Sequence, residues 1–366
     1  MAASAAPISQ LDVSAFTVPL DEPETDGTLG WDSTTAVVVH AAAAGERGIG
    51  WTYGSAACAT LVDELLAEAV LGRDALDVPG AWEAMVRAIR NQGRPGISSM
   101  SIAAVDTALW DLKAKLVGLP LHALLGGLRH EVPIYGSGGF TSLSDRALRE
   151  QAERWVRELG VDQVKIKVGL DRGSREDRDV ERVAIVREAI GDRAGLFVDA
   201  NGAYGRAQAV RVARRLEDLG VVWFEEPVSS DDLEGLGIVR DGTSIDVAAG
   251  EYGYDLASFA RLAPVVDVLQ ADVTRCAGIT EWLRVAAVAA AHGLEISGHT
   301  AQSLHVAPAC AVPNLRHLEY FADHAQIERL LFDGTLEPRD GVLRPDPARP
   351  GNGLELRTAD AERFAV

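Results

Sequence analysis

Cysteine is scarce in this chain, basic charge is in deficit, and long apolar runs are missing. The 366 residues hold three cysteines, Cys58, Cys276 and Cys310. An odd number, widely spaced and without metal-ligand spacing, excludes a disulfide framework and a cysteine metal site. Buried reduced thiols of a cytoplasmic protein are the expectation. Lysine and arginine number 35 against 54 aspartates and glutamates, a formal net charge of −19. That balance argues against nucleic acid and against anionic membrane surfaces as partners. An anionic substrate would have to be drawn in by local positive groups, because the overall field repels it. The alanine-rich run at 285–291 is too short to span a bilayer and reads as a buried helix face. Residues 1–10 have neither the basic start nor the sustained apolar stretch of a signal peptide. The cytoplasm is the expected location.

What is present is apolar material for a large core, 47% of the residues. The length suits a barrel of roughly 200–250 residues plus a smaller domain. Residues 1–130 read as an α+β unit: a β-branched strand at 34–40, then helical patterns at 63–69, 81–90 and 98–117. Residues 19–30, rich in Pro, Gly, Asp and Thr, read as a loop. From about 131 the period changes. Short apolar strands are expected near 132–135, 163–168, 195–199, 222–225, 247–251, 268–272, 295–299 and 316–320. Helices fill the gaps, as at 178–190, 206–219 and 279–292. Eight strands in β–α alternation predict a barrel over 131–321 rather than a doubly wound sheet. No helical pattern follows the eighth strand, and the turn-rich segment 322–366 is expected to fold back onto the first domain.

Charged residues fall at the ends of these strands. They are Lys165 and Lys167 in Val-Lys-Ile-Lys-Val, Asp199 in Val-Asp-Ala-Asn-Gly, Glu225 in Phe-Glu-Glu-Pro and Glu251 in Ala-Gly-Glu. From Lys167 onward they step by about one strand–helix–strand repeat, and strand C-termini converge on one mouth of a barrel. Three carboxylates meeting there would repel one another unless a hard divalent cation held them, which predicts a Mg²⁺ site at Asp199, Glu225 and Glu251. Glu226 competes with Glu225, because alternation sends neighbours to opposite sides and the flanking residues do not decide. Lys165 and Lys167 share one side of a strand whose other residues are apolar, so both point into the barrel. Burial and a neighbouring ammonium are expected to lower a lysine pKa and make a usable base. Asp272 and His299 end two further strands, and an aspartate beside a histidine fixes its tautomer. Glu319 ends the eighth strand. His305, His317 and His324 lack such context and read as structural.

The ordered set of Lys-x-Lys at 165 and 167, Asp-x-Asn at 199 and 201, Glu-Glu-Pro at 225–227, Gly-Glu at 250–251, Asp272 and His299 resembles the mandelate racemase and muconate-lactonising branch of the enolase superfamily. The likeness covers nearly the whole chain. It implies an α/β fold, a modified TIM barrel (β/α)7β with an α+β N-terminal capping domain completed by the C-terminal segment. It also implies that the first glutamate of Glu-Glu-Pro, Glu225, binds the metal. Lys-x-Lys with a His–Asp pair looks like the mandelate racemase subgroup; muconate-lactonising relatives carry a lysine on the sixth strand, where this chain has Asp272.

The implied chemistry is Mg²⁺-dependent removal of the proton next to a carboxylate. Mg²⁺ and Lys165 would stabilise the ene-diolate, and Glu319, if protonated, would donate to its other oxygen. Lys167 and His299 would serve as acid/base groups on the two faces, with Asp272 behind His299. Asn201, Arg275 and Trp51 are expected substrate contacts. Arg275 meets either a second substrate carboxylate or a loop acid, and Trp51, Tyr53 and residues 19–31 would close over the substrate. Sequences of this kind suggest dehydration of an acid sugar, an aldonate or aldarate, to a 2-keto-3-deoxy acid in carbohydrate catabolism. Alternatives are a racemase, epimerase or cycloisomerase of a hydroxy acid or sugar lactone using the same pair, and, more remotely, a non-catalytic metal- or metabolite-binding protein. The partner is a small-molecule carboxylate, and the resemblance implies a homo-oligomer, dimer or octamer.

Overall fold

A computed structural model describes residues 6–366; residues 1–5, half of the N-terminal stretch read above, lie outside the described residues. The chain opens with an antiparallel meander of β1 (Gln10–Thr25), β2 (Gly30–Ala43) and β3 (Glu46–Tyr53). The β-branched pattern marked only the middle of β2. Residues 19–30, expected as a loop, are the far end of a β1–β2 hairpin that pairs as far as Thr25 with Gly30. The register slips between Pro19 and Glu24, and residues 20–23, Pro23 among them, drop out of the ladder. Turn-forming residues and a paired strand therefore coexist there.

A helical stretch at 57–70 is followed by α1 (Val78–Ala88) and α2 (Ile97–Leu116), which complete an N-terminal capping domain. Glycines in β3 let α2 approach closely: a Cβ on Gly50 would lie 2.4 Å from the Ala108 amide nitrogen.

The barrel has eight parallel strands: β4 (Val132–Gly138), β5 (Gln163–Lys167), β6 (Gly195–Asp199), β7 (Val221–Glu225), β8 (Asp246–Ala249), β9 (Val268–Ala271), β10 (Glu295–Gly298) and β11 (Leu315–Phe321). It closes where β11 pairs with β4, Leu318 opposite Ile134. The outer ring is α3 (Asp145–Glu158), α4 (Glu176–Ile190), α5 (Arg206–Glu217), α6 (Leu233–Asp241), α7 (Leu256–Leu262), α8 (Ile279–Ala291) and α9 (Gln302–Ala309). The Ser144, Asp232 and Asp255 side chains accept from amides three residues on and set where α3, α6 and α7 begin. The strands are short and largely apolar because helices cover one face and an inner layer covers the other, with Lys165, Lys167 and Glu319 among the inward charges near the mouth. That inner layer includes Tyr135, Phe197, Trp223, Ala248 and Val268, with Phe197 and Trp223 stacked at 5.2 Å, and it forms a packed floor.

After the eighth strand comes a helix, α10 (Ala322–Leu331), where none was expected. Its buried face carries Asp323, His324 and Glu328 as well as Ala325, Ile327 and Leu331, so the apolar period that marks a helix is broken. The chain then returns across the barrel base and the cap. β12 (Phe332–Asp333) pairs with β14 (Glu355–Leu356), and β13 (Val342–Leu343) runs antiparallel to the start of β4. Gly351 bridges to Pro120, and Ala365 to Phe16 of β1. The cap is also tied to the barrel wall by Asp106 of α2. Fully buried, it accepts from the amide and hydroxyl of Thr280 in α8 at 2.9 and 2.6 Å. No helix among the described residues is long and apolar enough to cross a membrane.

Candidate active site

Lys167, Asp199 and Glu225 are register partners on β5, β6 and β7, so their side chains leave the sheet at one level. Glu251 reaches the same level by a turn. β8 ends at Ala249, and Gly250 at φ +138° passes so close to β9 that a Cβ would sit 1.9 Å from the Gln270 carbonyl oxygen. One oxygen each of Asp199, Glu225 and Glu251 lies within 4.8 Å of the others, and all three residues are buried. Glu226, at φ +38°, is not among these three, and Glu225 is the glutamate of the pair that joins the group. Burial, reinforced by the Glu251 and Asp199 charges, pushes the Glu226 carboxyl well up, into its neutral form. An all-carboxylate set with a buried Glu251 Oε2 that has no hydrogen-bond partner has the donor chemistry of a Mg²⁺ site.

The lysines flank the carboxylates. Lys165 Nζ lies 2.7 Å from Glu225, 2.8 Å from Glu319 and 3.8 Å from Asp199; Lys167 Nζ lies 2.5 Å from Asp199. Both are buried inside the barrel. The expected lowering of their pKa values is not what these surroundings produce. Burial pushes both ammonium groups down, but Glu225 and Glu319 around Lys165, and Asp199 beside Lys167, reverse it and hold both above the ordinary lysine range. In return Lys167 and Lys165 overcome burial and keep Asp199 low. Glu225, with burial and the Asp199 charge against it, is pushed up to about 8.

On the other flank His299 Nδ1 lies 2.8 Å from Asp272 Oδ2, leaving Nε2 toward the mouth, 3.4 Å from Glu251 Oε2 and 3.9 Å from Glu319 Oε2. Burial lowers the imidazole pKa, and Glu251 and Asp272 more than offset that and raise it. The aspartate is held far down by the hydrogen bond and charge of His299. The expectation of a protonated Glu319 meets a different arrangement. Its oxygens accept from Ser137 Oγ at 2.6 Å and the Thr300 amide at 2.9 Å, beside the Lys165 ammonium. Against its burial, Lys165 and His299 keep it ionised.

The remaining expected contacts divide. Asn201, at φ +45°, donates its amide N–H to Asp199 Oδ1 at 2.9 Å and lines the cavity above the carboxylates, its own Oδ1 unpartnered. Arg275 lines it too, but its guanidinium is bound 3.2 Å from Glu251 and 3.5 Å from Asp272 and lies over Tyr252. Trp51 is a correction: it is fully buried, stacked on Phe332 at 4.2 Å, and does not line the cavity. Tyr53, two residues nearer the end of β3 on the same face, does. His324, read as structural, also lines it and stacks on Tyr53 at 3.7 Å. Sequence reasoning missed Thr34, Tyr252 and Asp323. Tyr252 directly follows Glu251, and Asp323 lies just beyond Glu319, so adjacency to a strand-end acid was the available signal.

Residues 18–126 match the family described as mandelate racemase / muconate lactonizing enzyme, N-terminal domain, and residues 147–361 match the enolase C-terminal domain-like family. The 3,6-anhydro-alpha-L-galactonate cycloisomerase of Streptomyces coelicolor is 33% identical over 98% of this chain and 99% of its own length. The L-talarate/galactarate dehydratase of Salmonella typhimurium is 34% identical over 82% of this chain and 75% of its own. Its structure liganded with Mg and L-lyxarohydroxamate superposes with a TM-score of 0.91, at 29% identity over 100% of this chain and 95% of that one. A mandelate racemase/muconate lactonizing enzyme-like protein from Rubrobacter xylanophilus is 50% identical, covers 98% of this chain and 100% of its own, and has a TM-score of 0.95.

Proposed function

We propose, from the premise that this chain belongs to the mandelate racemase/muconate lactonizing enzyme family of the enolase superfamily, that it is a Mg²⁺-dependent acid-sugar dehydratase. It removes the proton next to the carboxylate of an aldonate or aldarate and expels the neighbouring hydroxyl, giving a 2-keto-3-deoxy acid. One observation carries the reading. Three carboxylates stand at the ends of consecutive strands β6 to β8, Glu251 in the turn just beyond β8, with Lys167 on β5 at one flank and the His299–Asp272 pair after β10 and β9 at the other. Asp199, Glu225 and Glu251 would hold the ion, which supplies positive charge where the substrate carboxylate becomes more negative.

The other parts are the chain's own. Lys165, buried and tied to Glu225 and Glu319, is a fixed positive charge facing the substrate carboxylate. Lys167 and His299 approach the substrate from two flanks, one to take the proton and the other to give one to the leaving hydroxyl. Asp272 keeps His299 Nδ1 protonated and Nε2 directed inward. Burial and the neighbouring Lys165 charge push the Lys167 ammonium toward a base, and Asp199, with Glu251 and Glu225, holds its proton on; that hold would weaken with a cation on those three carboxylates. The cytoplasm is the location we assign, supported by three buried free cysteines.

The test is proton NMR of the purified protein with Mg²⁺ in D₂O against sugar mono- and diacids. A 2-keto-3-deoxy product is expected. Deuterium at C2 with water retained would instead favour an epimerase, and a rearranged isomer would favour a cycloisomerase using the same Lys–His pair. The cycloisomerase reading is supported by a 33%-identical relative of that activity that spans this chain nearly end to end.

A further inference from the structure

The cavity over the carboxylates measures about 460 Å³, and its two sides differ in charge. The cationic side chains Lys167 and Arg275 stand on the barrel side, each already against Asp199 or Glu251. The opposite side is built by the cap and by the start of α10, with Asp26, Thr34, Tyr53, Asp323 and His324. No lysine or arginine among the described residues lines it. Its one imidazole, His324, is pressed against Tyr53, and burial pushes it down to about 3, so it is neutral.

The charged groups on that side are acids. Asp323 is 3% exposed; its Oδ2 accepts from Thr34 Oγ1 at 3.0 Å, and its Oδ1 has no partner in the protein. Glu24 does not line the cavity; burial and the Asp323 charge, against Trp31 and Lys167, push it up to about 8, so it is uncharged near neutral pH, and its Oε2 is likewise unpartnered. Asp26 uses Oδ1 on Thr28 and Leu29 of its own turn. A second carboxylate placed here would face Asp323, which burial pushes up to about 6 and which is therefore mostly ionised above neutral pH, with no lysine or arginine on that side to neutralise it. A hydroxyl would donate to an oxygen that has nothing else to accept.

We infer that the substrate is a monocarboxylate whose far end is hydroxylated and uncharged, an aldonate or its ring form, and that Asp323 selects it by accepting a hydroxyl and repelling a second carboxylate. This rests on the acid-sugar reading above and narrows it. It also separates this chain from the talarate/galactarate dehydratase it resembles, whose named substrates carry a carboxylate at each end.

Matched pairs test it with the Mg²⁺-loaded wild-type protein: gluconate against glucarate, and galactonate against galactarate, by NMR turnover and by calorimetric binding. The expected result is a preference for the monoacid of about 100-fold in kcat/KM, since a carboxylate set against a buried carboxylate is rejected. Equal or better use of the diacid would overturn the inference. If no acid reacts, the dehydratase reading fails, and the binding order still decides: tighter monoacid binding supports the selective wall, while tighter diacid binding, or binding of neither, overturns it. In Asp323→Asn the mono- to diacid ratio should shrink by about tenfold or more. An unchanged ratio in a folded variant removes Asp323 from the role, and should that variant misfold, the wild-type ratio decides alone.

Discussion

Lys167 and Glu251 line the same cavity yet predict different losses. Lys167→Ala, and His299→Asn on the other flank, should each lower kcat by about 10²–10⁴-fold, the usual contribution of one acid/base group. Mg²⁺ affinity by calorimetry should stay near wild type in both; normal turnover in both variants would remove the pair from the chemistry. Glu251→Gln should reverse the pattern and weaken Mg²⁺ by roughly 10–100-fold. A residue outside the carboxylate site predicts a pH effect. Glu328 of α10 is 1% exposed, accepts from Ser303 Oγ at 2.5 Å and Gln302 Nε2 at 3.1 Å, and is pushed up by burial to about 7. Its folded pKa lies above its unfolded value, so the folded state holds the proton more tightly. That contribution is complete below about pH 4.5 and is lost as pH rises through about 7, on the order of 3 kcal/mol. Glu328→Gln should therefore raise Tm at pH 8 by more than at pH 5, and an equal shift at both would mean that Glu328 does not titrate in that range.

Asp106 shows what joins two elements: one carboxylate takes both the amide and hydroxyl of Thr280 at the start of α8, and burial pushes it up to about 7. Asp106→Ala leaves that amide without an acceptor and the hydroxyl with only Trp110 Nε1 donating to it, and should cost about 1–3 kcal/mol, read as a lower denaturant midpoint with an unchanged slope. The opposing element is as tight, since a Cβ on Gly278, at φ +94°, would lie 2.3 Å from Asp106 Oδ2. The elements also show where sequence was readable. All eight barrel strands stood out because a strand buried on both faces is a short apolar run, and here each run ends in a charge or near a turn. Asp199, Glu225, Glu251, Asp272 and His299 were visible for that reason. β1 was not, because a cap strand half open to solvent mixes polar and apolar residues; β3 was not, because glycines and a threonine interrupt its buried run; and α10 was hidden by its buried Asp323, His324 and Glu328. Trp51 and Tyr53 look alike in sequence, and only the position of Phe332, brought in by the distant C-terminal segment, separates the core residue from the cavity residue. The lysine pKa direction was misread for a related reason: the ends of neighbouring strands decide it, not the Lys-x-Lys strand itself.

At the scale of the molecule a net charge of −19 surrounds a cavity meant for an anion. The long-range field opposes capture, and salt weakens it. The kcat/KM for a monoanionic substrate should rise about two- to threefold between about 20 and 200 mM KCl; a fall would show that the positive charge of Lys165, Lys167 and Arg275 governs approach as well as binding. The return of the chain to its beginning has a separate consequence. Phe16 bridges to Ala365, and the Val366 amide donates to the Ala15 carbonyl, so β1 is completed by residues nearly a full chain length away. Synthesis makes these partners far apart: β1 meets β2 at once, but its other edge waits for residues 365 and 366. Until then an incomplete cap edge is available to any other nascent chain. For this protein the interval between the first strand and its last partner, more than the finished fold, is where chaperones and growth temperature would govern yield.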